Sequence, residues 1–143
     1  MRRVEKVVLA AYEWDALADA IGNQQKLAGG TPKALAIVQA AQNLVAAGVR
    51  HAADLMRPTE DHKNAYTSVY GLGTVTWSYF LMLLGIPDVK ADTWIMRFVA
   101  GALGRPTSAT ESRGLLHRAA SELRVSPTAL DHAIWSHIRT APQ

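Results

Sequence analysis

The chain predicts an all-α fold, a compact bundle of seven to eight helices forming one domain over residues 1–143. Apolar residues recur at three- and four-residue spacing in successive segments, the period of a helix with one buried face. Small polar residues, proline and glycine stand at the ends of those segments, where caps and stops belong. No segment alternates apolar and polar residues as a half-buried strand would.

The elements follow in order. Val4, Val7, Val8, Ala11, Leu17 and Ala18 mark a helix over residues 3–21, ending near Gly22. Gly29-Gly30 makes a flexible break. Thr31-Pro32 then supplies a cap and a first-turn proline for a helix to about Ala47, closed by Gly48. A short helix covers His51 to Met56, and Pro58-Thr59-Glu60 opens another that runs to about Tyr70. Val75 to Leu84 is apolar on nearly every side and reads as a central buried helix, ended by Gly85-Ile86-Pro87-Asp88. A helix over Thr93 to Leu103 comes next. Ser108-Ala109-Thr110-Glu111 is a capping-box pattern for a helix to Leu123, and Ser126-Pro127 opens the last, to about Ile138.

Composition bounds the function. With 143 residues, 49% of them hydrophobic and 19% charged, the chain can bury a core of its own. A formal charge of +3 permits nucleic-acid binding without demanding it. The lack of cysteine removes disulfides, thiolate zinc sites, iron–sulfur clusters and a cysteine nucleophile. His132 and His137 are off the spacing of a helical metal pair, so no metal site and no organic cofactor is expected. Glu5 and Lys6 interrupt any export signal near Met1-Arg2-Arg3, and the apolar stretch from Trp77 to Leu84 is too short to span a bilayer. No membrane partner is expected, and a cytoplasmic location is the default.

The chemistry concentrates in Gly71-Leu72-Gly73-Thr74-Val75-Thr76 and in Asp92. Glycines let the chain turn sharply and remove side chains that would block close approach. The N–H groups of Gly73, Thr74 and Val75, opening a helix, favour an anion through hydrogen bonds and the helix dipole, and the Thr74 and Thr76 hydroxyls can add contacts. A phosphate held there carries no base information, so such binding is sequence-independent. Read alone, Gly-Leu-Gly is equally a tight inter-helix turn. Asp92 before Thr93-Trp94-Ile95-Met96 is a good helix N-cap, and capping does not exclude a second use of its carboxylate.

The run from Tyr70 through Gly71-Leu72-Gly73 and Val75 to Gly85, followed by Pro87-Asp88-Val89 and Asp92-Thr93-Trp94, resembles the helix-hairpin-helix DNA glycosylase superfamily. The resemblance is clearest over residues 59–103 and covers the rest faintly, as in a reduced or divergent member. It implies that Gly71, Leu72, Gly73, Thr74, Val75 and Thr76 grip the DNA backbone, and that hairpin carbonyls can hold a monovalent cation. It implies that Asp92 assists hydrolysis of an N-glycosidic bond by stabilising the charge that develops on deoxyribose. It places Gln24 or Gln25 where related enzymes fill the gap left by a flipped base. Apart from the resemblance, a tryptophan is a core or interface anchor or a surface for base stacking, and Trp94, next to Asp92, is the stacking candidate. Members that also cut the strand carry a lysine where this chain has Val75, so base removal without strand cleavage is expected; Lys63 and Lys90 lie elsewhere. Trp94 also replaces a frequent histidine, and the short segment between Gln25 and Lys33 suggests a reduced pocket.

Other residues read more simply. Arg113, His117 and Arg124 fall within about 40° on a helical wheel and describe a solvated face that can also touch phosphate. Arg97 is expected to hold its helix through an ion pair. Two further readings stand beside a monofunctional DNA glycosylase. One is a non-catalytic helix-hairpin-helix DNA-binding module. The other is a helical protein-interaction domain, whose apolar amino-terminal helix can form a homodimer.

Overall fold

Thr59, Asp92, Ser108 and Ser126 each stand at the start of a helix in the computed structural model, which describes residues 10–141. Among these residues the helices are α1 (Trp14–Ile21), α2 (Lys33–Ala46), α3 (Glu60–Thr67), α4 (Thr74–Leu83), α5 (Thr93–Leu103), α6 (Ala109–Leu123) and α7 (Pro127–Thr140), with a 3-10 turn at Ala52–Leu55. The fold is all-α; the described residues show β pairing only as an isolated bridge between Lys26 and Pro32. None of their helices is long and apolar enough to cross a membrane.

The caps explain the agreement. Thr59 accepts the His62 N–H at 3.2 Å, Ser126 accepts the Ala129 N–H at 3.0 Å, and Pro127 fills the first turn where its missing N–H costs nothing. Ser108 accepts the Glu111 N–H at 3.0 Å, but the Glu111 carboxylate turns to Arg105 instead of closing the box. α6 ends without glycine: Arg124 takes the left-handed conformation itself, at φ 56°.

Two expected elements differ. The helix expected over residues 3–21 is interrupted: Ala11 to Glu13 leave helical geometry, and α1 begins at Trp14 with Glu13 extended at its cap. Val4, Val7 and Val8, and the dimerising face expected of them, lie outside the described residues. Thr31 does not cap α2. Its carbonyl accepts the Leu27 N–H at 2.8 Å within the bridged loop, and Pro32 takes the cap position without a side-chain bond. Gly29 of that loop lies close against Tyr70: a Cβ there would fall 2.5 Å from the ring.

The chain divides into two compact units, Met1–Trp77 and Ser78–Gln143, and the division falls inside α4. In the first unit, Leu17 and Ala18 of α1 pack on Ala34 and Val38 of α2. Ala36 and Ala40 on α2 meet Val69, with Leu27, Tyr66 and Leu72 around them. In the second unit, Val89, Ala91, Ile95, Val99, Leu116 and Ile134 form one core that joins α5, α6 and α7. The segment between α4 and α5 contributes Val89 and Ala91 to this core, so it is anchored by burial as well as by hydrogen bonds.

Candidate functional site

The hairpin belongs to the first unit. Leu72 donates its N–H to the Val69 carbonyl at 3.0 Å and sinks its side chain among Ala36, Ala40 and Val69. Gly71 takes φ 88°, and a Cβ there would stand 2.7 Å from Leu27 Cδ1. The turn therefore needs glycine for both its conformation and its contact with the bridged loop. Gly73 has no such crowding: a Cβ there meets nothing within 4 Å.

The amides of this turn are unequal. Gly73 donates its N–H to Thr76 Oγ1 at 2.8 Å, and the Thr76 hydroxyl donates back to the Gly73 carbonyl at 2.8 Å. Gly73 thus acts as the cap of α4, and its N–H is already used. The N–H groups of Thr74 and Val75 meet no hydrogen-bond acceptor among the described residues, as expected for the open first turn of a helix.

Gln24 and Gln25 sit in the loop whose Leu27 packs on this turn, so the first unit brings them near the hairpin. Both amides are engaged locally: Gln24 Nε2 donates to Asp19 Oδ1 at 2.8 Å, and Lys33 Nζ donates to Gln25 Oε1 at 2.7 Å.

Asp92 belongs to the second unit. Its Oδ1 accepts the Trp94 and Ile95 N–H groups at 3.0 and 3.1 Å, which makes it the cap of α5. Its Oδ2 has no hydrogen-bond partner among the described residues. Asp92 lines a cavity of about 480 Å³ with Tyr79 and Met82 of α4, Lys90, Ile95, and Thr128, Asp131, His132 and Trp135 of α7. Lys90 Nζ stands 4.6 Å from the Tyr79 ring centroid, and the His132 ring stacks on Trp135 at 5.9 Å and 25°. The volume falls within the range of small-molecule sites.

The segment carrying Asp92 is tied down at several points. Lys90 donates its N–H to Asp131 Oδ2 at 2.7 Å, and Asp88 shares hydrogen bonds at 3.2 Å with the Thr128 hydroxyl. The Asp88 carboxylate is buried, 3% exposed, and its Oδ1 accepts from Arg113 Nε at 2.7 Å, His117 Nε2 at 2.9 Å and the Val89 N–H at 2.8 Å. Burial alone would raise this carboxyl, but the bonds from Arg113, His117 and Val89 outweigh it and hold it below its usual range. Asp131 goes the other way. Burial pushes its carboxyl up and the Asp92 charge adds to that, against the Lys90 N–H bond, the Lys90 charge and His132.

Three expectations change at this level. Arg113 and His117 keep contact with solvent, but both turn their polar atoms onto Asp88, while Arg124 serves as the end of α6. Arg97 makes no ion pair among the described residues; its guanidinium lies 5.4 Å from the Trp94 ring centroid. Trp94 is 51% exposed and does not line the cavity beside Asp92, whereas Trp135 does. Asp131, Tyr79 and Lys90 were missed as candidate site residues. The available signal was the stripe Thr128, Asp131, Trp135, three and four residues apart on one face of α7.

The model of a family described as a domain of unknown function (DUF8548) matches residues 1–139, and the chain belongs to that family. No curated protein and no solved structure matches the chain.

Proposed function

We propose that this chain binds DNA through the phosphate backbone and hydrolyses the N-glycosidic bond of a damaged or modified base, with Asp92 assisting. One observation carries the reading: Asp92 lines a cavity of about 480 Å³ that Tyr79 and Trp135 also line. A base turned out of the duplex needs a planar apolar surface to replace its lost stacking. The sugar left behind develops positive charge, and a carboxylate with one oxygen unbonded can stabilise it. In the first unit, the open N–H groups of Thr74 and Val75, with Gly71 and Gly73 bare of side chains, support a phosphate contact at the hairpin. Val75 supplies no amine, so the expected product is an abasic site in an uncut strand.

A second reading, a DNA-binding module without catalysis, is favoured by the full use of Asp92 Oδ1 as a helix cap. The two separate in a panel of lesion-containing duplexes assayed with and without hot alkali. Strand breaks that appear only after alkali, and disappear in Asp92→Asn while DNA binding persists, support base release. Asn caps a helix about as well as Asp, so the variant isolates the charge. Activity unchanged in Asp92→Asn removes Asp92 from the mechanism. DNA binding without base release across the panel leaves the binding module, and no DNA binding at low salt ends both readings.

A further inference from the structure

We infer that Asp131 is the second acid of this site, protonating the departing base while Asp92 remains the anion beside the sugar. The inference rests on the base-release reading and adds a residue to it. Both carboxylates line the same cavity, and one frame holds them: the Lys90 main chain that donates to Asp131 Oδ2 lies two residues before Asp92. Their surroundings set different tasks. Asp92 accepts two main-chain N–H bonds at the positive end of α5, the surroundings of an anion. Asp131 is half-buried beside Trp135, accepts a single N–H bond at Oδ2, and is held above the usual carboxylate range by burial and by Asp92. The groups around it with charge or a titrating proton are Asp92 and Lys90 on the connecting segment, His132 on α7 and Tyr79 on α4. Two carboxyl groups lining one site can divide acid and anion roles in glycoside hydrolysis.

The step balances without a further reactant. The oxygen of a water molecule bonds to C1′ as the C1′–N bond breaks. The electron pair of that bond leaves with the base, which takes the proton from Asp131. The proton shed by the water passes to solvent, and solvent reprotonates the Asp131 carboxylate.

The test compares two purines that differ in their need for this proton. Duplexes carrying a single hypoxanthine, a neutral base, or a single 7-methylguanine, already cationic, are incubated with wild-type, Asp131→Asn, Asp131→Glu and Asp92→Asn protein. Asp131→Asn is expected to slow hypoxanthine release by about 100-fold or more, the scale of general acid catalysis, and to leave 7-methylguanine release within a few-fold. Asp131→Glu should recover part of the hypoxanthine activity, and Asp92→Asn should lose both. In wild-type protein, hypoxanthine release should fall as pH rises and Asp131 deprotonates, a limb that 7-methylguanine release should lack below neutral pH. That wild-type comparison decides the matter even where Asp131→Asn does not fold. Equal slowing of both bases by Asp131→Asn, or identical pH profiles, would overturn the acid role and leave base release standing, as would wild-type release of 7-methylguanine alone. Release of neither base by wild-type protein overturns the inference together with the reading beneath it.

Discussion

Asp88 offers the sharpest test of how the second unit is held together. Its carboxylate is 3% exposed, and three donors converge on one oxygen: Arg113 Nε at 2.7 Å, His117 Nε2 at 2.9 Å and the Val89 N–H at 2.8 Å. Asp88→Ala removes all three acceptor contacts at once. Val89 is itself 0% exposed, so its orphaned N–H costs about 1–3 kcal/mol. Bonds to a charged group are worth about 1.5–3 kcal/mol each, but the Arg113 side chain is 45% exposed and regains water, which places its share at or below the low end. The sum is about 3 kcal/mol, with about half of that for Asp88→Asn, which keeps an oxygen for Val89. At a urea slope of about 1–3 kcal/mol per molar, Asp88→Ala should lower the midpoint by about 1–3 M.

The same residue fixes a pH signature. Its folded carboxyl lies below the ordinary range, so its stabilisation is fully present above the unfolded value of about 3.9. It is lost as pH falls through the folded value. Urea melts followed by circular dichroism should therefore separate wild-type from Asp88→Asn at pH 5, and the gap should close as pH drops below about 4. Arg113→Ala is the partner for a double-mutant cycle, because arginine does not titrate in this range. A gap that stays constant into strong acid would refute the account. So would additivity of Asp88→Asn and Arg113→Ala to within about 0.5 kcal/mol, which is the behaviour of residues that do not interact.

Other consequences are quicker to check. Gly71→Ala must place a side chain at φ 88° and 2.7 Å from Leu27 Cδ1, so its melting temperature should fall well below that of Gly73→Ala, whose Cβ meets nothing within 4 Å. The left-handed conformation alone costs about 1–2 kcal/mol, and equal melting of the two variants would contradict the turn geometry. Thr76→Val removes the hydroxyl that both accepts from and donates to Gly73, and should cost about 0.5–2 kcal/mol by chemical denaturation, as for a lost helix cap; an unchanged midpoint would show that this cap contributes nothing. If the hairpin grips phosphates, DNA affinity should fall with salt by a log–log slope of about −0.9 for each phosphate contacted, and a flat response would remove backbone binding.

Much of the fold was legible because its signals are local. The residues that start α5 and α6, Asp92 and Ser108, bond to N–H groups two or three positions ahead, so a reader of the sequence sees cap and helix together. The break before α1 was not visible in this way. Val4, Val7, Val8, Ala11 and Leu17 keep helical spacing across Ala11 to Glu13, and periodicity alone does not mark where a helix is interrupted. The Asp88 cluster was also hidden, since Arg113 and His117 lie 25 and 29 positions away from it. On a wheel these two residues look like any charged outer face. Only the packing of α6 beside the connecting segment brings the buried Asp88 carboxylate within their reach. Asp131 was passed over for the same reason: its partner, the Lys90 N–H, is 41 positions distant.

Those long-range bonds bear on what the site can do. A group that stabilises a transition state must be held to a fraction of an ångström, and an extended segment between helices is a poor support unless something fixes it. Here the segment is fixed from three directions. Asp88 binds α6 through Arg113 and His117; Asp88 and Lys90 bind α7 through Thr128 and Asp131; Asp92 ends the segment by capping α5. Val89 and Ala91, alternating with these, point into the core that the same three helices share. The alternation is that of an extended chain, polar residues taking the anchors and apolar ones the core. If Asp92 acts as proposed above, these anchors are what would hold its unbonded carboxylate oxygen at a set position in the cavity.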